Sequence, residues 1–588
     1  MIIYYFLLNL LYFSSFLFFG EKISKIFGID KNLERISIKY FQYPIISVAF
    51  FSFLTSILIQ FGFNIKFLSI ILNSIFIFTG IFFILKNRKK IKLINIKKFK
   101  KYFLIIFIFI SYLFITFSPI TDADSLAYHA YFPKKILSAN LFYFDFYNFH
   151  ESLIGLLEFF YVIPLYLKSD YTLQFINFLA FLSIASIFLK FSNDNKNYLK
   201  NFSLVIFTSP IFFHLIYTAK PQLIFISLGL LNFSLLYKEK KFDNLGIILF
   251  STFLIIINFL GKSNFLLSSA VLSIFLFFKI YKKVTIKDFF KIFLFGIVIV
   301  APNIFAKYII FENYNIYNLI NFIPHHLPGY TNFWNYLVNA QQVNLFPLSI
   351  FFPTKLSYIS LSFGLWPILL IFLLKKNKSL FFPILLVLLI YIFGLKQNRF
   401  YIEPLLWFSL IVLSNVKIKT FSKGFIENLS LIQIIPMMGV IIYSSFYFFF
   451  SNFDNDHREN VLKNFAYGYN FNKIINENIN PKDNIIINTR SLYYGNNNLI
   501  YPEFRKFSKT KVYNDDIKKK FPKFIVLIDE NIENYFLKRC KVSLIKSYNL
   551  IGKVNRKNLF LNDRQQSKKM STLKIYKFDN PNDLSCFN

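Results

Sequence analysis

Apolar runs long enough to cross a lipid bilayer recur along most of the chain, and they constrain its fold more than any other feature. About 18–20 apolar residues span the hydrocarbon core as a helix. Such runs fall near 2–19, 43–63, 66–86, 102–118, 171–190, 202–217, 222–237, 244–260, 264–280, 289–311, 355–374, 379–394, 402–416 and 430–450. Inside a bilayer no water satisfies the backbone, so a spanning segment is a helix or part of a closed barrel. The shorter alternation of barrel strands does not appear. The expected fold is an all-α polytopic membrane bundle of about 14 spans. Segment 151–167 is also apolar but starts with Glu151 and contains Glu158.

Charge orients the bundle. Lys and Arg number 66 against 30 acids, a net +36, which raises the question of nucleic-acid binding. The basic residues cluster between apolar runs, as the positive-inside rule demands of cytoplasmic loops, and form no single-face stripe, so no nucleic-acid partner is expected. Lys86–Lys101 alone carries nine of them. Lys22–Lys39, Lys238–Lys241, Lys279–Lys291, Lys375–Lys378 and Lys417–Lys423 are the other basic connections. All share one side only if 151–167 does not cross and either rests as an outer juxtamembrane helix or re-enters the membrane, with both ends outside. Segments 119–150, 218–221, 261–263, 312–354 and 395–401 then face outward, together with everything after residue 452. The transmembrane domain therefore covers 1–450.

The region 452–588 reads as a small C-terminal α/β extracytoplasmic domain. Residues 484–489 and 523–529 have the composition of short buried strands, and a helical stretch near 459–479 stops before Pro481. Cys540 and Cys586 are the only cysteines, and an oxidising compartment would allow them to pair.

Polar chemistry concentrates on the outward side. Ser118–Pro133 places Asp122, Asp124, Tyr128 and His129 directly after an apolar run. A carboxylate at a membrane boundary is costly to desolvate; there it takes a proton from an incoming hydroxyl or holds a divalent cation such as Mg or Mn. Equally, Asp122 or Asp124 is a favoured cap for a helix beginning near Ser125. Gln397–Pro404 offers Arg399, whose planar fork suits a phosphate, beside Tyr401 of the aromatic belt. Lys220 and Lys262 are isolated cations where the positive-inside rule predicts few, and Lys307 lies nearer that side as well. The pair His325–His326 in the loop Asn321–Gly329 lacks the i, i+4 spacing of a helical zinc site.

These motifs, in this order and on one side, resemble the GT-C superfamily of membrane glycosyltransferases, particularly bacterial relatives of the dolichyl-phosphate-mannose–protein mannosyltransferases (glycosyltransferase family 39-like). The likeness covers about residues 100–588 and rests on Asp122-Ala123-Asp124 with Tyr128-His129, segment 151–167, Lys220-Pro221, Gly261-Lys262-Ser263, Pro302…Lys307…Pro324 and Gln397-x-Arg399-x-Tyr401. It implies a bacterial inner-membrane enzyme with its active site and C-terminal domain facing the periplasm or outside. Such an enzyme moves a hexose or pentose, with inversion, from a polyprenyl-phosphate carrier to a glycan, lipid or protein acceptor. By resemblance Asp122 or Asp124 is the general base, and Arg399 holds the departing phosphate with Lys220 and Lys262. Some relatives use a divalent cation at the acidic loop. Gln222 stands where many relatives place an acid.

Two other classes act on lipid-linked glycans. A transporter or flippase predicts charges at mid-span and paired repeats of broken helices; the runs carry few charges and no repeat is evident. A polymerase or ligase would carry a large Arg-rich central loop, and 312–354 is poor in Arg. A mere anchor for the C-terminal domain would leave most of the runs unexplained.

Overall fold

The computed structural model describes residues 2–88, 96–143, 154–192, 197–239, 244–281, 283–310, 362–374, 377–393, 398–415, 420–489, 491–501, 519–528, 540–551 and 570–580. Glu151, loop 312–354 with its His pair, Gln397 and Cys586 lie outside the described residues. The chain divides into two compact units. One comprises Met1–Pro119, Gly155–Asn313 and Gln341–Asp454; the other comprises Ile120–Ile154, Tyr314–Ala340 and Asn455–Asn588. A single cut near residue 450 would have left Ile120–Ile154, which carries the acidic motif, in the first unit.

The first unit is a membrane helical bundle. Six of its described helices are long and apolar enough to span: Ile2–Ile26, Lys39–Gln60, Ile65–Asn87, Tyr171–Phe191, Ile286–Phe305 and Gly424–Phe450. A seventh crossing exists if the bent pair Pro210–Tyr217 and Gln222–Lys238 counts as one. The other described runs form shorter apolar helices, among them Leu245–Gly261, Leu266–Ile280 and Ile402–Ser414. At 1.5 Å per residue, a helix of about 15 residues falls short of a hydrocarbon core of about 30 Å. Run 202–217 is interrupted at Thr208-Ser209, because Pro210 starts a new helix.

Glycines allow the first helices to pack backbone to backbone. A Cβ on Gly20 would lie 2.0 Å from the Tyr43 carbonyl oxygen, and one on Gly80 would lie 2.4 Å from that of Leu11. Tyr171–Phe191 is buried along nearly its whole length and is the central helix, whereas Ile286–Phe305 is largely exposed and forms the perimeter. Segment 151–167 is not a single helix resting at the interface. Its described part forms two five-residue helices, Leu156–Phe160 and Val162–Tyr166, each too short to cross. Both are buried within the bundle on all faces from Leu156 to Leu165 rather than lying on a lipid surface. Apart from Glu158, Leu-Leu-Glu-Phe-Phe-Tyr-Val-Ile-Pro-Leu is apolar all round, which suits burial and not an interface. The Asn73 amide, itself accepting from Tyr12, donates to the Ile163 carbonyl at 2.8 Å and fixes this segment to the spans.

The second unit holds the α/β domain. Helices Asn455–Phe465 and Tyr469–Asn478 precede a five-stranded sheet ordered β2-β1-β3-β5-β4. Its strands are β1 Asn484–Ile487, β2 Asn498–Ile500, β3 Phe524–Ile528, β4 Val542–Ile551 and β5 Met570–Phe578. β1 pairs in parallel with β2 and β3, and β5 runs antiparallel between β3 and β4. β1 and β3 coincide with the two strands expected from sequence, and both helices lie in the expected helical stretch. Cys540 is disulfide-bonded.

Candidate active site

The candidate residues fall into two groups, one in each unit. The acidic group belongs to the second unit. Asp122 is buried, and its Oδ2 accepts from Asp124 N at 3.1 Å, Ser125 N at 3.0 Å and Ser125 Oγ at 3.2 Å. It thus caps the π-helical turn Ser125–His129, where five-residue spacing is closed by Ala130 N donating to Ser125 O at 2.9 Å. Asp124 makes no side-chain cap and is partly exposed. Tyr128 and His129 lie inside the turn, both buried, with ring centroids 3.9 Å apart. Of the two carboxylates, Asp122 therefore has a structural duty, as its capping alternative requires. Among the described residues no group of three His, Cys, Asp or Glu gathers as a metal site. A divalent cation on this pair would need water or substrate oxygens to complete its shell.

The cationic group belongs to the first unit and is organised by a break in a helix. Pro210–Tyr217 and Gln222–Lys238 meet at 120° across Thr218–Pro221. Such a break frees carbonyls that the apolar surroundings would leave unsatisfied. The central helix supplies the donors: Gln174 Nε2 donates to Tyr217 O, and Asn177 Nδ2 donates to Thr218 O at 2.7 Å. Lys220 sits in the break and is buried. Gln222, in the next turn, donates from Nε2 to the Arg399 carbonyl at 2.8 Å. An ionised glutamate there could not donate this hydrogen bond. One turn on, the Phe225 ring fills the space beside Gly261, where a Cβ would come within 2.0 Å of it, and it packs on Phe265. The backbones carrying Lys220, Lys262 and Arg399 thus meet around the first turn of one helix. A helix start carries partial positive charge of its own. Tyr401 follows Arg399 and is buried.

Glu158 joins this group, although it was not singled out as a site residue. It is fully buried, and its Oε2 accepts from Gly155 N at 3.0 Å at the start of its own short helix. Burial pushes its carboxyl up, to about 7, while the charge of Lys262 acts in the opposite sense. The sequence signal was a single acid in an otherwise apolar helix. Gly155 lets the two approach: a Cβ there would lie 1.5 Å from the Gly261 carbonyl oxygen, one residue before Lys262. Gly155→Ala is expected to destabilise the bundle by about 3 kcal/mol or more, since only backbone stands in the way. Thermal unfolding in detergent measures it, and an unshifted midpoint would contradict this packing.

A bundle of spanning and broken apolar helices, with a small α/β domain, defines a multi-pass membrane protein. The chain belongs to the DUF1420 family, whose N-terminal domain model matches residues 6–462. No curated protein matches it significantly in sequence. Among solved structures, the crystal structure of ArnT from Cupriavidus metallidurans bound to undecaprenyl phosphate is similar over 80% of this chain and 96% of that one. The identity is 10% and the TM-score 0.47.

Proposed function

We propose that this protein is a membrane glycosyltransferase that moves a sugar from a polyprenyl-phosphate carrier to an acceptor on the outer side of the membrane. The observation that carries the reading is the meeting of the Lys220, Lys262 and Arg399 backbones at the start of helix Gln222–Lys238. Fixed positive charge in a water-poor site stabilises a phosphate as it leaves. The acidic turn supplies the complementary chemistry. A carboxylate, Asp124 in our assignment, takes the proton of the acceptor hydroxyl as its oxygen bonds to the anomeric carbon. The bond from that carbon to the carrier phosphate oxygen breaks, and the electron pair stays on the phosphate. Attack opposite the leaving group inverts the centre. Asp122 holds the turn through its three donors, and Tyr128 and His129 line it.

Deleting the gene and comparing lipid-linked sugars and surface glycans with the parent strain tests the function. One polyprenyl-phosphate sugar should accumulate while one sugar disappears from the envelope; identical profiles would refute the reading. Within the site, Arg399→Ala should raise the donor KM about 10- to 100-fold, as loss of a hydrogen bond to a charged group predicts. An unchanged donor KM would remove Arg399 from phosphate binding.

The 120° break also favours a second reading, a flippase for the same lipid-linked sugars. Transfer by purified protein in detergent, where there are no two sides, separates the two.

We infer that the acidic turn and the α/β domain face the periplasm. The disulfide at Cys540 supports this, because such bonds persist in oxidising compartments. Ser125 is wholly buried, so exposed Asn496 is the better reporter. Asn496→Cys in intact spheroplasts should react with a membrane-impermeant maleimide; labelling only after lysis would reverse the topology.

A further inference from the structure

Main-chain carbonyls flanking the acidic turn accept hydrogen bonds from the C-terminal domain. Tyr494 Oη donates to Ile120 O at 2.7 Å, two residues before Asp122. Tyr467 N donates to Thr121 O at 3.3 Å. On the far side, Leu492 N and Tyr493 N both donate to Leu126 O, at 3.2 and 3.1 Å. Three carbonyls bracketing Asp122–Asp124 are therefore gripped by two short stretches, Tyr467 and Leu492–Tyr494.

Those stretches are themselves braced. The Asn476 side chain donates to Tyr494 O at 3.0 Å and accepts from Asn496 N at 2.9 Å. Asn472 Nδ2 donates to Ser491 O at 2.9 Å, and Ser491 Oγ donates to Tyr467 O, which joins the two stretches. Gly468, at φ +69°, permits their close approach; a Cβ there would lie 2.5 Å from that of Ser491. From the other direction Lys134 Nζ donates to Tyr493 O at 2.6 Å, and its charge sits 5.1 Å from the Tyr493 ring centroid. The Tyr469 ring stands edge-on to Tyr494 with centroids 5.2 Å apart. The turn Leu492–Gly495 lies in the connection between β1 and β2.

We propose that the C-terminal domain is a working part of the transferase, and that its turn Leu492–Gly495, through the Tyr494 hydroxyl, positions the Asp122–Asp124 loop for proton transfer. The inference rests on the acidic loop carrying the base. Tyr494 is a positioning residue: it touches the loop's backbone and not the reacting atoms. Misplacing a base by a fraction of an ångström lowers turnover more than donor binding.

The experiment uses full-length protein in nanodiscs. The donor is the lipid-linked sugar extracted from the deletion strain, and the acceptor is envelope from that same strain. Tyr494→Phe keeps the ring and removes one donor. It should lower kcat about 10-fold with donor KM within twofold, consistent with loss of one hydrogen bond of about 1.4 kcal/mol felt in the transition state. Amide exchange in 121–130 should rise while the bundle stays protected. Asn476→Ala, which releases the turn from behind, should give the same signature. Tyr548→Phe, whose hydroxyl bonds Asn478 away from the turn, should change neither measurement. Unaltered exchange in 121–130 overturns the proposal, and so does faster exchange with an unaltered kcat. If wild-type protein gives no transfer, the glycosyltransferase reading fails separately, and the exchange measurement alone then decides whether Tyr494 positions the loop.

Discussion

Asp124→Asn is expected to lower kcat by about 10²- to 10⁴-fold, the usual worth of a positioned general base, while the protein remains inserted and folded. The companion variants give this result its meaning. Asp122 caps the turn through one oxygen that accepts three hydrogen bonds. Asparagine is as good a cap as aspartate because its amide oxygen accepts the same donors. Asp122→Asn should therefore keep most of its activity, whereas Asp122→Ala should lose about 1 kcal/mol of local stability. If Asp122→Asn is as inactive as Asp124→Asn should be, and Asp124→Asn is active, the base is Asp122 and the cap is incidental. Full activity of both asparagine variants removes the general-base assignment from the loop altogether. Turnover of the lipid-linked donor, with amide exchange as the check on folding, reads all three.

The second large effect is expected on stability. Glu158 is fully buried and faces the charge of Lys262. Above about pH 7, where the Glu158 carboxyl is ionised, removing Lys262 leaves a buried carboxylate without its compensating charge, at a cost of about 3–5 kcal/mol. Lys262 is only partly buried, so Lys262→Ala should fall at the lower end of that range, measured by thermal unfolding in detergent. Adding Glu158→Gln should recover much of the loss, because no carboxylate is then stranded. The recovered double variant should still bind donor poorly, which separates the two duties of Lys262. Failure of Glu158→Gln to restore stability would show that the two side chains do not interact. The same pair predicts a pH dependence. The Glu158 carboxyl rises from 4.5 to about 7 on folding, so the folded protein keeps a proton that the unfolded chain releases. Its contribution is most favourable below pH 4.5 and declines as pH rises towards 7. Glu158→Gln should flatten that part of the stability profile.

The bundle was legible in the sequence because a lipid environment leaves a coarse signature: one long apolar run for each long helix. Interruptions were harder to read. Pro210 and Pro221 flank a short helix, but the 120° turn between it and the next helix depends on Gln174 and Asn177 donating to the freed carbonyls. No local pattern announces that. β1 and β3 were visible as short apolar runs. β5 was missed although Leu573 and Ile575 are buried in alternation with Lys574 and Tyr576, a half-buried pattern that the many lysines obscured. Asp122, Asp124, Lys220, Lys262 and Arg399 stood out because charge near a membrane is costly. Glu158 reads in the sequence only as an argument against a span at 151–167, because its approach to Lys262 depends on the packing of Gly155 against Gly261. The hold of the C-terminal domain on the acidic turn was invisible for a different reason. Its bonds end on backbone carbonyls, which every residue has, and sequence records nothing about which partner a carbonyl finds.

The hydroxyl of Tyr494 and the carbonyl it grips are 374 positions apart in the chain. At ordinary translation rates a ribosome needs roughly 20 to 75 s to cover that interval. Throughout that time the nascent acidic segment has left the ribosome and has nothing to dock against. On the proposed assignment, catalytic competence arrives last in biogenesis, and an mRNA cut short after the final span should yield a protein that inserts and transfers no sugar.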